Sequence, residues 1–283
     1  MTLPTTETLL LDKRDHALFI TLNRPKARNA MSLQMVHELM ATFEAIALNP
    51  DIRAVILRGT EGHFCAGGDI KDMANARGQL AAKKAAGVDP FFELNREFGR
   101  LITMVNQAPQ VVVAVLEGAV LGGGFGLACV SDVAIAAADA QFGLPETGLG
   151  IPPAQIAPFV VARIGLTQAR RLALLGARFT GLEAKSLGIV HEVGETSEAI
   201  EALLQTTLAQ VKRCAPGANA TTKKLMLAVG QMPLESLLDE AAKDFSAAVT
   251  SQEGQEGTMA FIQKRKPAWA AIAGTETPAA TEK

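Results

Sequence analysis

Two glycine-rich turns and one isolated carboxylate are the parts of this sequence that could do chemistry. The turns are Cys65-Ala66-Gly67-Gly68-Asp69-Ile70 and Leu121-Gly122-Gly123-Gly124-Phe125-Gly126. Each follows a run of buried-strand character and opens a helical stretch. Glycines there leave backbone N–H groups uncovered, and the helix dipole is positive at that end. Two such turns facing each other make an oxyanion hole from main-chain donors, suited to a carbonyl oxygen that gains charge, as in an enolate. Taken singly, either is an ordinary tight turn. The carboxylate is Glu146, in Pro145-Glu146-Thr147-Gly148. Between Val133 and Arg163 the only charged residues are Asp139 and Glu146. A carboxyl in such surroundings should titrate above its usual range and shuttle protons near neutrality. At a helix start it would also favour the dipole without any catalytic role.

Other chemistries lack their motifs. No G-x-x-x-x-G-K-[ST] occurs, and leucine at 127 breaks the dinucleotide fingerprint begun by Gly122 and Gly124. His37 and His191 have no second histidine at zinc-ligand spacing, so no metal site is read. Ala184–Gly188 is a near miss to G-x-S-x-G in a helical stretch. Cys65 and Cys129 sit beside the turns without an evident histidine partner, which suits packing better than nucleophilic attack.

The elements that must hold these residues follow from periodicity. Thr8–Leu11 and Ala17–Leu22 read as short strands. Ser32 is a candidate N-cap for a helix carrying Leu33, Val36, Leu39, Met40 and Phe43. Ala54–Leu57 and Val111–Leu116 read as buried strands, and Phe91–Val105 as a helix. Residues 74–90 lack an apolar stripe and read as a mobile surface segment. Val133–Ala137 and Ala140–Phe142 are short strands, and Ile189–Val193 is the last one expected. After Pro145 the chain is mostly helical, ending in three or four helices. The pattern predicts an α/β core over residues 1–200, a helical C-terminal region over 201–266, and a flexible tail over 267–283.

The chain has 283 residues, with 48% hydrophobic and 20% charged, the balance of an ordinary globular protein. Lys+Arg 27 against Asp+Glu 29 leaves a net charge of −2, which offers no electrostatic footprint for nucleic acid. The three cysteines have no CxxC spacing and suit a reducing compartment. The N-terminus has no signal-peptide pattern, and the apolar run Val111–Val130 is broken by Glu117 and glycines, so no membrane span is read. These features predict a cytoplasmic protein.

In order along the chain stand NRPKARNAMS, HFCAGGDIKDM, VLEGAVLGGGFGLACVSDVAIAA, AQFGLPETGLG and FIQKRKPAW, spanning residues 23–269. Together they identify the sequence as a member of the crotonase (enoyl-CoA hydratase/isomerase) superfamily. The resemblance implies a crotonase-like spiral of ββα units with a C-terminal helical trimerisation region, assembled as a homotrimer or a dimer of trimers. It implies an acyl-CoA thioester substrate and no metal or redox cofactor, CoA being part of the substrate. By position, Ala66 and Gly123 would supply the oxyanion hole and Glu146 the proton shuttle. Arg28 and Ala30 would lie along the CoA, with Gly68, Asp69 and Ile70 beside its pantetheine and adenine. Phe261 and Lys264 would reach the CoA of a neighbouring subunit, Lys264 meeting a phosphate as a point charge.

Two departures stand out. The helix after the second glycine turn carries Gly126 where hydratases of the superfamily have a second glutamate. After Gly150, Pro152-Pro153-Ala154-Gln155-Ile156 replaces the usual Pro-Gly-x-Gly-Gly. One carboxylate must then serve both the water and the α-carbon proton, or the reaction needs just one proton shuttle. Within the superfamily the sequence resembles the isohexenylglutaconyl-CoA hydratases of acyclic-terpene degradation. The alternatives are a Δ3–Δ2 enoyl-CoA isomerase, another single-glutamate hydratase, or a lapsed acyl-CoA-binding protein. Gln155 could touch a distal substrate carboxylate, although a helix-start role suits it better.

Overall fold

A computed structural model describes residues 2–270. One compact unit runs to Leu208 and a second begins at Ala209.

The first unit is built on a six-stranded sheet. Its strands are β1 (Leu9–Arg14), β2 (Ala17–Leu22), β3 (Ala54–Gly59), β4 (Val111–Leu116), β6 (Val133–Ala137) and β9 (Glu192–Gly194), in that spatial order. Only the β1–β2 hairpin is antiparallel; the other neighbours run parallel, with Phe19 beside Ile56 and Ile56 beside Val113. Such strands are covered on both faces, which is why ALFITL, AVIL and VVVAVL are near-continuous apolar runs. Leu18, Ile20, Val55, Leu57, Val112 and Ala114 are fully buried in one core.

A second, smaller layer holds β5 (Ala119–Leu121), β7 (Gln141–Gly143) and β8 (Arg178–Thr180). Single bridges extend it, joining Cys65 to Val120 and Met31 to Gly68. The chain therefore repeats one step: a strand in the large sheet, a strand or bridge in the small layer, then a helix. The helices of this unit are α1 (Leu33–Ile46), α2 (Ile70–Ala85), α3 (Pro90–Gln107), α4 (Gly123–Val130), α5 (Ala157–Leu175) and α6 (Gly181–Ser186). Ser32 caps α1 as expected, its Oγ accepting from Met35 N at 3.2 Å.

Three expectations are corrected here. Residues 74–90, read as a mobile surface segment with no regular element, do lie at the surface, but most of them form the helix α2. Ala76 is the only residue of this helix that is buried, so it shows no apolar stripe. It forms because alanine-rich sequence favours helix, Asp69 caps it, and Asp72 and Lys83–Lys84 match the dipole at its two ends. The strands β5 and β8 are absent from the sequence reading because three residues show no periodicity. The last strand is shifted: Ile189 and Val190 are buried before it, and β9 begins only at Glu192.

The second unit takes up the end of α7 (Ser197–Arg213) and contains α8 (Pro216–Ala228), α9 (Leu234–Thr250) and α10 (Gln252–Ile262). Lys224 Nζ meets Asp244 Oδ2 at 3.0 Å, and Glu253 accepts from Gly217 N at 3.1 Å. Arg265 forks onto Glu256, which also takes Ala268 N–H; these bonds pull Glu256 down to about 2. Residues 268–270 form a single turn, with Trp269 Nε1 donating to Arg213 O. The remainder of the expected tail lies outside the described residues.

Candidate active site

The first glycine turn is threaded between two strands. Cys65 N donates to Ala119 O at 2.8 Å, which fixes it beside β5. On its other side Met31 N donates to Gly67 O and Asp69 N donates to Met31 O, at 2.8 and 3.0 Å. Gly67 has φ +103, a conformation in which a side chain would be strained. This pairing decides which N–H groups are free. Ala66 N donates to Arg28 O at 3.0 Å, so the expected oxyanion donor is already committed. In a parallel bridge the residue between the two bonds turns its own N–H the other way. Gly68 is that residue, it is exposed, and its N–H meets no acceptor among the described residues.

The second turn enters α4 through Gly122, at φ 50 and ψ −116, where its N–H donates to Gly143 O. A Cβ on Gly122 would stand 2.7 Å from Glu146 Oε1 and 3.5 Å from Gly67 Cα. The absence of a side chain thus lets the carboxylate, the first turn and the second turn meet. Gly123 is the first residue of α4, so its N–H has no partner within the helix. A Cβ there would lie 3.2 Å from Phe98 Cζ, which places the Phe98 ring over it.

Glu146 sits in a short turn, Pro145–Leu149, pinned at its base by Thr147 Oγ1 donating to Ala173 O at 2.8 Å. Its Oε2 is buried and has no hydrogen-bond partner. Burial holds the carboxyl above the ordinary carboxylate range, and a bond from its own backbone N–H offsets this in part. A half-buried carboxyl with one oxygen unsatisfied, beside two uncommitted backbone donors, can take a proton from a reactant and hand it on.

Gly126 lies three residues beyond Gly123 in α4. A Cβ at this position would come within 2.4 Å of Ile156 Cγ2 and 3.0 Å of Ile102 Cδ1. The place where the family resemblance would put a second glutamate is therefore filled by apolar side chains. Gln155, next to Ile156, turns to α3: Nε2 donates to Asn95 Oδ1 at 2.9 Å, and Oε1 accepts from Arg96 Nη1 at 3.4 Å.

The remaining predicted residues divide. Arg28 is exposed in a left-handed conformation, and Ala30 O accepts from Arg24 Nη1. The Asp69 side chain is consumed internally: it takes Arg24 Nη2 and caps α2 at Lys71 N. Burial raises its carboxyl, but those bonds outweigh that and leave it below the usual range. Ile70, 78% exposed, opens α2 beside the first turn. Phe261 and Lys264 are exposed at the end of α10, in the second unit. Cys65 and Cys129 are buried, and burial pushes their thiols up to about 11 and about 12, so both stay protonated. Phe98, Ile102 and Ile156 were missed by the sequence reading. The helical spacing of Phe98 and Ile102 marks a shared face, but nothing local marks the glycines they cover.

Comparison with known proteins agrees with this architecture. The family profile described as "Enoyl-CoA hydratase/isomerase" matches residues 13–271. A solved structure, Pseudomonas aeruginosa AtuE, is 62% identical with a TM-score of 0.89, covering 94% of this chain and 100% of that one. An enoyl-CoA hydratase/isomerase from Marinobacter aquaeolei is 57% identical with a TM-score of 0.88, covering 93% and 99%. The 2,3-dehydroadipyl-CoA hydratase of Escherichia coli (strain K12) is 30% identical over 260 residues, 92% of this chain and 97% of its own. Profile, relatives and the two-layer α/β spiral agree: the chain belongs to the enoyl-CoA hydratase/isomerase family and has the crotonase fold.

Proposed function

We propose that this enzyme adds water across the α,β double bond of a β-branched enoyl-CoA thioester, using Glu146 as its single proton carrier. The substrate that fits the sequence resemblance best is isohexenylglutaconyl-CoA, giving 3-hydroxy-3-isohexenylglutaryl-CoA. The observation that carries the reading is the buried, unpartnered Oε2 of Glu146 beside Gly122.

In the proposed reaction the thioester oxygen accepts from Gly68 and Gly123 N–H, which makes the β-carbon electrophilic. Glu146 as carboxylate takes one proton from a water whose oxygen bonds to the β-carbon. The electron pair of the double bond moves to the enolate held by the two N–H groups. Protonated Glu146 then returns that proton to the α-carbon, and both hydrogens of the water end in the product. No metal or redox cofactor enters these steps. Asp69 serves by holding the first turn, since its carboxylate is spent on Arg24 and the α2 cap.

We further propose self-association as a homotrimer or dimer of trimers, in the cytoplasm, with the second unit as the oligomerisation region and Phe261 and Lys264 meeting a neighbouring subunit's CoA. Exposed Leu234, Leu238, Phe245 and Val249 share one face of α9 and support this. No described helix is long and apolar enough to cross a membrane.

A Δ3–Δ2 enoyl-CoA isomerase is the second reading, favoured by the apolar filling at Gly126, because isomerisation needs one proton shuttle and no water. Incubation with isohexenylglutaconyl-CoA and crotonyl-CoA in ¹⁸O-labelled water, followed by mass spectrometry, separates the two. Labelled 3-hydroxy product from the branched thioester, with little from crotonyl-CoA, is the expected result. No label from either thioester, with turnover of 3-enoyl thioesters, overturns hydration in favour of isomerisation.

A further inference from the structure

We propose that Ile156 determines which acyl chains this site accepts, locked in place by the Gln155 amide wedged over Gly99; the inference rests on the enoyl-thioester reading above. Three side chains cover the glycines of α4. Phe98 covers Gly123, while Ile102 and Ile156 cover Gly126, with Ile156 Cγ2 2.4 Å and Cβ 3.1 Å from where a Gly126 Cβ would stand. Ile156 is only 3% exposed, so it is a packed wall and not a loose flap.

This wall runs along α4 from the free N–H of Gly123 to Gly126, less than one helical turn further on. An acyl chain held by its thioester oxygen at Gly123 would run beside this wall. Hydrocarbon side chains there reward a hydrocarbon branch and offer a hydroxyl or carboxylate no partner. The polar contacts for such groups must then come from elsewhere in the pocket.

The position of Ile156 is set through its neighbour. The amide of Gln155 lies directly on α3 at Gly99, where an added Cβ would be 2.0 Å from Gln155 Oε1. Asn95 and Arg96 hold that amide by its two ends, with Nε2 to Asn95 Oδ1 at 2.9 Å. Gln155 is therefore a positioning residue, and Gly99 is the gap that admits it.

The test is the ratio of kcat/KM for isohexenylglutaconyl-CoA over crotonyl-CoA, a quantity that simple loss of folded protein leaves unchanged. Ile156→Ala should lower this ratio at least about tenfold, the scale of a lost hydrocarbon contact in a pocket. Ile156→Val should lower it less, and decides the matter if the alanine variant does not fold. Gly99→Ala should lower it too, by displacing Gln155, although alanine is the better helix former. A ratio that is unchanged or higher in folded Ile156 variants overturns the proposal. If the wild-type protein turns over neither thioester, the hydration reading fails, and the same ratio is then read from dissociation constants by calorimetry. There a ratio unmoved by Ile156→Val overturns the role of Ile156 independently.

Discussion

At the residue scale the site depends on one carboxyl and on which backbone groups are left free. Glu146→Gln should lower turnover by about 10²–10⁴-fold, the usual worth of a positioned general base, while thioester affinity measured by calorimetry stays within a few-fold. In the wild-type enzyme the acid limb of kcat/KM should lie above the usual glutamate range, because hydration needs the carboxylate and burial raises its titration. Stability should move the opposite way. A carboxyl whose folded value lies above its unfolded one binds extra proton in the folded state, so stability falls as pH rises between the two. Glu146→Gln should therefore melt higher than wild type near neutral pH, and the advantage should vanish below the ordinary value of 4.5. Gly126→Glu should not create a second catalyst. Its Cβ would collide with Ile156 Cγ2 at 2.4 Å. The variant should lose about 1–3 kcal/mol in denaturant titration, with no gain in turnover. Glu146 was legible in the sequence because charges are sparse around it. The free backbone donor was not: in a run of small residues, only strand pairing shows that Ala66 N–H is spent on Arg28 and Gly68 N–H is free.

At the element scale, α2 shows how a helix can stand without an apolar stripe. Asp69 caps it, bonds Arg24, and so ties the helix start to the segment that carries Arg28 and Ala30. Asp72 Oδ2 accepts from Leu33 N at 2.7 Å, joining α2 to the start of α1. Asp69→Ala should cost about 1 kcal/mol, the usual worth of a lost N-cap, and should speed hydrogen exchange over residues 70–85 beyond other helices. An equal acceleration of exchange across the molecule would contradict this local role. The long elements were legible because apolar residues recur at helical spacing in α1 and α3 and run unbroken through β4. Residues 74–90 were misread because helix formation there rests on alanine content, capping and dipole charges, which leave no hydrophobic period.

At the scale of the whole molecule, the second unit exposes Phe245 at 71% on the same face as Leu238 and Val249 of α9. An apolar face of this kind marks an interaction surface. Phe245→Asp should shift the mass in solution from the proposed trimer or hexamer toward monomer by light scattering, and an oligomer unchanged by the substitution would remove α9 from the interface. Burying an aspartate against apolar partners is the reason for the expected loss.

By itself the sequence determined the class of chemistry and the frame that holds it. Apolar strand runs, capped amphipathic helices, two glycine turns and one isolated glutamate are local patterns, written within a few residues of one another. Tertiary structure alone decided how those parts meet. Gly126 and Ile156 are 30 positions apart, Gly99 and Gln155 lie farther apart still, and Ala66 is silenced by Arg28 across the gap between two segments. Such contacts depend on the register of parallel strands and the packing of α3 on α4, where a glycine's neighbour is set by the fold and not by the residues beside it.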